Sequence, residues 1–288
     1  MREIEAYGAA VPDMSWMDAD LIDAGTALVP RAAGERTALA AAPPTIRLFG
    51  RDFCVGRAAD ILAATAARPA HRPRVIVTAN VDHIVQLDAD AEFRGAYDRA
   101  SARTLDGMPL VWLARVLHRL PVERVTGHDL LACVLAGPPP AMGRVFLVCA
   151  RQSVADAVGA RFRAAGLPPE AIASAVPPFG FEHDPAYGLA LAARIRAHGA
   201  GLVVMGVGAP KSEVWVDRHA GTLGGPVVLC VGDALAVAAG CMPRAPRLMQ
   251  RLGLEWAFRF ALAPRRLFHR YFVKSWRFLE IAARQALG

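Results

Sequence analysis

Residues 75–130 read VIVTANVDHIVQLDADAEFRGAYDRASARTLDGMPLVWLARVLHRLPVERVTGHDL. The run Val75-Ile76-Val77 has the β-branched composition of a buried strand. It ends in Thr78-Ala79-Asn80, a polar cluster at which the strand must stop. A helical stretch follows, and Leu105-Asp106-Gly107 then sets one carboxylate on a turn. Arg124, Thr126, Gly127 and Asp129 make a second polar cluster. Working outward, short, largely apolar candidate strands recur at 45–49, 145–149, 202–205 and 227–231, besides the one at 74–78. Stretches rich in Ala, Leu and Arg separate them, with helical character at 58–67, 81–88, 91–100, 109–119, 128–135, 153–165, 185–198 and 213–220. Continuous apolar strands suit a sheet covered on both faces. Their alternation with helices predicts an α/β fold, a Rossmann-like layered parallel sheet with flanking helices. Ligands of such sheets collect at the carboxyl ends of the strands, where Thr78, Asn80 and the turn Gly206-Val207-Gly208 fall.

The chain has 288 residues and is 54% apolar, enough for a sizeable core. No apolar run reaches the roughly 18 residues of a bilayer span. The first twenty residues are acidic and broken by Pro and Gly, without the basic start and apolar middle of a signal peptide. A cytoplasmic location is therefore expected. The five cysteines, odd in number and without C-x-x-C spacing, read as reduced and mostly buried. Histidine and cysteine do not cluster at ligand spacing, so no metal is expected.

Charge divides the chain. From residue 243 to 288 ten bases face only Glu255 and Glu280, so this segment carries +8 of a whole-chain charge of +7. Such a localised field implies an anionic partner at that end. Arg266, Arg270, Lys274 and Arg277 recur at helical spacing, with Leu267, Phe268, Tyr271, Phe272, Phe278 and Leu279 beside them. On one helix this makes a basic stripe along an apolar one, the pattern of a helix lying at a lipid surface. A helix packing its aromatics onto the protein would read the same way. Three regions follow: a variable N-terminal extension (1–44), an α/β domain (45–242) and a basic, amphipathic, helical C-terminal appendage (243–288).

Each polar residue of the strand ends has an ordinary structural use. Asn80 suits a helix cap, Asp106 before Gly107 a turn, and Arg124 an ion pair with Glu123 or Asp129. Gly206-Val207-Gly208 lets backbone N–H groups approach a phosphate, with the charge of Lys211 nearby. It is also the start of a dinucleotide loop, although Lys211 stands where a third glycine would. Asp88-Ala89-Asp90 has the spelling of a metal-binding D-x-D but lies in a helical region. On these residues alone an NAD-type oxidoreductase and a basic nucleic-acid-binding protein stay open beside a transferase.

Five blocks in order resemble the WecG/TagA/CpsF glycosyltransferases, family 26 of the carbohydrate-active enzymes. They are Thr78-x-Asn80; Asp106-Gly107; Arg124-x-x-Gly127-x-Asp129-Leu130; Gly206-x-Gly208-x-Pro210-Lys211-Ser212-Glu213; and Arg244-Ala245-Pro246 with Gly253-Leu254-Glu255-Trp256-x-x-Arg259. The resemblance covers roughly residues 45–272. It implies an inverting, metal- and cofactor-independent enzyme. That enzyme would move a hexose or N-acetylhexosamine-type sugar from a UDP-sugar to a polyprenyl-diphosphate-linked saccharide, in cell-surface polysaccharide synthesis. It implies Asp106 as the catalytic base, and Thr78, Asn80, Arg124, Gly127, Gly208, Lys211, Ser212 and Glu213 as substrate-binding residues. Arg259 and Arg266 would close over the leaving diphosphate, with Arg270 standing in where relatives have a base at His269. The expected partners are the UDP-sugar, the lipid-linked acceptor, an anionic membrane surface met by residues 243–288, and further copies of the chain in a homo-oligomer, but no nucleic acid. Attachment to the inner face of the cell membrane follows. Relatives carry Gln at the position of Ser212. A hydroxyl reaches less far and offers one donor where an amide offers two, so a different donor sugar or orientation is implied.

Overall fold

The computed structural model describes residues 43–287 except 69, 138–141, 270, 271, 273 and 274. Almost all of the N-terminal extension, the Pro138-Pro139-Pro140 run and Arg270 therefore lie outside the described residues, as does the side chain of Arg266.

The chain opens with a hairpin, β1 (Thr45–Leu48) and β2 (Arg51–Cys54), and continues through α1 (Ala58–Ala66), β3 (Arg74–Ala79), α2 (Val81–Ala89), α3 (Ala91–Arg99) and β4 (Ala102–Leu105). Next come α4 (Met108–His118), α5 (Gly127–Ala136), β5 (Arg144–Cys149), α6 (Gln152–Ala164), β6 (Ile172–Ala175), α7 (Pro185–His198) and β7 (Ala200–Gly206). The last part holds α8 (Lys211–Arg218), α9 (Ala220–Leu223), β8 (Val227–Cys230), α10 (Ala234–Ala238), α11 (Arg247–Arg251), α12 (Glu255–Leu262), α13 (Pro264–Phe268) and α14 (Trp276–Leu287). Strands β3 to β8 form one sheet of order β4-β3-β8-β7-β5-β6, in which each neighbouring pair is parallel. This is the layered α/β sheet that the alternation of runs predicts.

The central strands β3, β5, β7 and β8 are mostly apolar because both faces are covered. Val77, Val203, Met205, Val228 and Cys230 share one core with α2, α3, α7 and α8. Their neighbours in sequence, Ile76, Leu202, Val204, Val227 and Leu229, share another with α1, α5, α6 and α10. Three strands escape a reading from apolar runs. β2 (RDFC), β4 (ARTL) and β6 (IASA) are four residues each and largely polar or small, so only pairing identifies them. β4 is the one that matters, because its end carries Asp106.

Caps set the helix starts. Asn80 Oδ1 accepts from His83 N at 3.0 Å. Asp90 Oδ1 accepts from Glu92 N and Phe93 N, while Asp88 Oδ2 takes Arg277 Nη2 at 3.0 Å. The D-x-D spelling is thus one helix cap and one ion pair.

The C-terminal appendage is not one straight helix. α13 and α14 are separate, with Ser275 in a turn before α14. Leu267 and Phe278 point into the protein, whereas Phe268, Phe272, Trp276 and Leu279 are exposed. α14 lies on α2 and on the hairpin tip. Phe49 and Gly50 form a two-residue turn with φ of 50° and 73°, a conformation costly for a Phe. Phe278 holds that tip at 6.2 Å between ring centroids, and Gln285 Oε1 accepts from Phe49 N at 2.6 Å. Part of the basic stripe is therefore spent on the body, with Arg277 and Arg284 both at Asp88.

Glu213 sits on the inner face of α8 and is buried. It lines a pocket of about 160 Å³ with Arg72, Pro73, Ala96, Arg99, Val216 and Asp217. Its Oε2 has no hydrogen-bond partner, and burial pushes its carboxyl up to about 7. The proton is held more tightly in the folded than in the unfolded chain. This group therefore favours the folded state below about pH 4.5, and that contribution is lost as pH rises through about 7. Glu213→Gln is expected to raise unfolding stability at pH 8 by up to ~3 kcal/mol while leaving it nearly unchanged at pH 4. Urea titrations at the two pH values check this, and equal shifts at both would refute it.

Candidate active site

The site is assembled where β3, β4 and β8 end. The Asp106 and Gly107 amides both donate to Ala79 O, at 2.8 and 3.1 Å. This fixes the turn after β4 against the end of β3. Gly107 has an ordinary extended backbone, φ −77° and ψ 126°, so the reason for glycine is not a sharp turn. A Cβ there would stand 3.2 Å from Asn80 Cα and 3.4 Å from Asn80 Cβ. Glycine lets Asp106 come close to Asn80. Thr78, paired in register with Thr104, is buried just inside the same strand end.

The segment before α5 runs along β4. Val125 N donates to Leu105 O at 2.9 Å, and Thr104 Oγ1 donates to Val125 O at 2.9 Å. Arg124 is thereby brought beside Asp106. Its ion pair is neither of those the sequence suggested: Nη1 meets Glu255 Oε2 of α12 at 2.5 Å. Thr126 and Asp129 form a reciprocal capping box on α5, so the Asp129 carboxylate is occupied by its own helix. Gly127 presses on β8, where a Cβ would come 3.0 Å from Val231 Cβ and 3.1 Å from Val231 O. Arg259, also on α12, lies 3.5 Å from Asp233 Oδ2.

Electrostatics single out Asp106. Asp106 is half-buried. Burial raises its carboxyl to about 6, against the pull of Arg124 and Arg259, with Glu255 and Asp129 adding to the rise. A carboxylate that ionises near neutrality, next to two guanidiniums, can take a proton from a hydroxyl while the cations hold an anion. Among the described residues no group of three His, Cys, Asp or Glu side chains could hold a metal ion.

A model of the Glycosyl transferase WecG/TagA/CpsF family matches residues 46–288. The chain belongs to this family. It is a glycosyltransferase, and in the WecG/TagA/CpsF enzyme the geometry can be divided by role. Thr78, Asn80, Asp106, Arg124, Gly127 and Arg259 gather at the ends of β3, β4 and β8. The glycine block lies at the end of β7, the strand next to β8, where a Cβ on Gly232 would stand 3.9 Å from Gly208 Cα; it borders the β8 side of this cluster, while β4 is three strands and about 14 Å across the sheet. Gly208 takes a left-handed φ of 86° with open space around it. Ser212 is buried, and its Oγ donates to Gly208 O at 3.1 Å, so it shapes the loop. Lys211 Nζ is 3.3 Å from Glu182 Oε1 and 4.5 Å from the Phe179 ring centre, turned toward the loop after β6. Glu213 faces the α3–α8 interface and does not join either cluster.

Glu255, Asp233 and His128 were missed in the sequence. Glu255 stands in the same block as Arg259, and its pairing with Arg124 could have been suspected from their opposite charge. His128 has no such signal. It falls between Gly127 and Asp129, and the charges of Arg244, Arg259 and Glu255 that act on it come from elsewhere in the chain.

Proposed function

We propose that this glycosyltransferase is an inverting enzyme that transfers a hexose or N-acetylhexosamine-type sugar from a UDP-sugar to a polyprenyl-diphosphate-linked saccharide, for cell-surface polysaccharide synthesis at the inner face of the cell membrane. The observation that carries this reading is the single carboxylate of Asp106, with its raised proton affinity, set against Arg124 and Arg259. One base suffices for a one-step displacement. The acceptor hydroxyl gives its proton to Asp106 as its oxygen bonds to the anomeric carbon. The bond from that carbon to the diphosphate oxygen breaks on the opposite face, and UDP leaves with the electron pair. Arg124 and Arg259 stabilise the charge that develops on it. Ala79 O holds the turn that presents Asp106 beside Asn80, and the spread from Asp106 to Gly208 and Lys211 suits an extended donor lying across the strand ends.

Membrane docking through residues 243–288 is part of the same proposal. No helix among the described residues is long and apolar enough to cross a bilayer. Among the described residues more than half of the exposed large apolar side chains, among them Leu248, Leu252, Trp256, Phe268, Phe272 and Trp276, belong to this segment, within a charge of +8. Apolar groups entering the acyl boundary and bases meeting phosphates would act together. Trp112 and Val116 on α4 and Leu120 just after it are exposed as well, and Gly253 stands close against Met108 and Trp112, which extends the apolar surface to α4.

A panel of UDP-sugars incubated with a polyprenyl-diphosphate-linked acceptor, on vesicles with and without anionic lipid, tests the reading. Transfer from at least one UDP-sugar, faster on anionic vesicles and weakened by salt, is expected. Failure to hydrolyse or transfer any UDP-sugar would remove the donor assignment. Equal rates on neutral vesicles would remove the docking.

A further inference from the structure

A cavity of about 310 Å³ lies under α14, between that helix, the end of α2 and the tip of the β1–β2 hairpin. Its size is at the lower end of the ~300–1,000 Å³ of small-ligand sites. None of the residues gathered around Asp106 lines it. One wall is apolar: Ile84 and Leu87 of α2 make the floor, with Phe49 and Ile281 beside them. The other wall is cationic, made by Arg51, Arg94 and Arg284. Arg51 is spent on its neighbours, with Nε on Asp98 at 2.6 Å and Nη1 on Phe49 O at 2.9 Å. Arg94 crosses the end of α2, where Nη1 donates to Leu87 O at 2.8 Å and to Asp88 O at 3.2 Å. Its Nε and Nη2 take no part in those bonds. Arg284 is 58% exposed and loosely held, 3.7 Å from Asp88 and 3.6 Å from Glu280. Gln285 accepts from Phe49 N through Oε1, which does not use the donors of its amide nitrogen.

Charge at this wall does not balance. Asp98 matches Arg51, and Asp88 serves Arg277 at 3.0 Å as well as Arg284. Arg94, Arg277 and Arg284 thus face only Asp88 and Glu280, three bases against two acids, which leaves one positive charge. That charge and the unspent donors suit one anion, and the apolar wall beside them suits hydrocarbon. The helix that roofs the cavity also exposes Trp276 and Leu279, which favours a lipid over a soluble metabolite. We propose that this cavity seats one anionic phospholipid, its head-group phosphate meeting Arg94 and Arg284 and the start of one acyl chain lying on Ile84, Leu87 and Ile281. The inference goes beyond sugar transfer. It rests on the membrane reading for where the lipid is met, and not for the chemistry of the cavity. A phosphodiester carries one negative charge, equal to the excess at the wall, and guanidinium forks suit its oxygens. A seated lipid joins α14 to α2 and adds to the hold of Phe278 and Gln285 on the hairpin tip.

The experiment adds dihexanoyl phosphatidylglycerol to the full chain below its micelle concentration. Calorimetry reads the affinity, and NMR follows the methyl groups of Ile84, Leu87 and Ile281. Dihexanoyl phosphatidylcholine and glycerol phosphate are the comparison ligands. One equivalent of the anionic lipid is expected to bind and to shift those methyls. It should bind at least tenfold more tightly than either comparison ligand, and added salt should weaken it. Arg284→Glu should lose about tenfold in affinity, and Arg284→Lys should keep most of it. The methyl shifts are read on the wild type, so they stand even if a variant folds poorly. Silent methyls, equal binding of phosphatidylcholine, or unchanged affinity in Arg284→Glu would each overturn the inference. Equal binding of glycerol phosphate would overturn it too, by assigning the cavity to a free anion. Transfer on vesicles is scored separately. Lipid in the cavity with equal transfer rates on neutral and anionic vesicles keeps this site and removes the docking from the proposed function.

Discussion

Asp106→Asn is expected to lower kcat/KM for sugar transfer by ~10²–10⁴-fold, the usual worth of a general base, and to make the protein more stable. Both effects come from one cause. The carboxyl is surrounded closely enough that its proton is retained up to about pH 6, compared with 3.8 for a free aspartate. Its contribution therefore favours the folded state below about pH 4 and is lost as pH rises through about 6. At pH 8 the wild type carries an ionised, partly desolvated group. The amide does not, so the variant should gain about 1–2 kcal/mol there, discounted because the residue is only half-buried. A wild-type rate that falls as pH drops through about 6, together with a melting temperature raised in the variant at pH 8 but not at pH 4, would agree. Full turnover by Asp106→Asn would clear this residue of the role of base. Unequal stability without loss of activity would leave it as a merely strained turn.

Arg124→Ala should be nearly as damaging for a different reason. Arg124 and Glu255 are only 17% and 22% exposed and share a 2.5 Å bond. Removing the arginine leaves Glu255 half-buried without its cation and strips Asp106 of the charge that most lowers its proton affinity. Both changes act in one direction, so the acid limb of the pH–rate profile should move up by about one unit. The loss of a cation facing the leaving group should cost ~10²-fold or more in kcat/KM. Stability should fall by about 1–3 kcal/mol, as when one partner of a partly buried pair is removed. Adding Glu255→Gln should bring the acid limb back toward pH 6 without restoring the rate. A limb that stays in place in Arg124→Ala would show that Arg124 and Asp106 are not coupled.

Both expectations depend on α12, and this changes what can be asked of the C-terminal region. Glu255 and Arg259 belong to the active-site cluster. Phe278 and Gln285 secure the Phe49-Gly50 turn against α14. Removing everything from residue 243 would take away part of the site and part of the packing together, so single exposed residues such as Trp276 or Phe272 are the cleaner probes of membrane contact.

Much of this could be read from the chain. Continuous apolar runs at 75–77, 145–149, 202–205 and 227–231 identify a doubly covered sheet, because only a strand buried on both faces can be apolar at every position. Polar residues at the ends of such runs mark the rim where ligands bind, and Thr78, Asn80 and Asp106 do meet there. The spacing of Asn80 before a helix also predicts its cap. These are local signals, carried by neighbouring residues and by one period of side-chain direction. What the tertiary structure alone decided is which distant groups share that rim. β4 is too short and polar to announce itself. Gly107 is glycine because of Asn80, twenty-seven residues earlier, and not because of its own φ. Arg124 pairs with Glu255 across 131 residues of chain, and His128 feels the charges of Arg244 and Arg259, more than a hundred residues away. Glu213 and Ser212 look like ligand contacts next to Lys211 but point inward once α8 is laid on the sheet. Proton affinity and charge pairing depend on distance through space and on exclusion of water, and neither quantity is written in the order of residues.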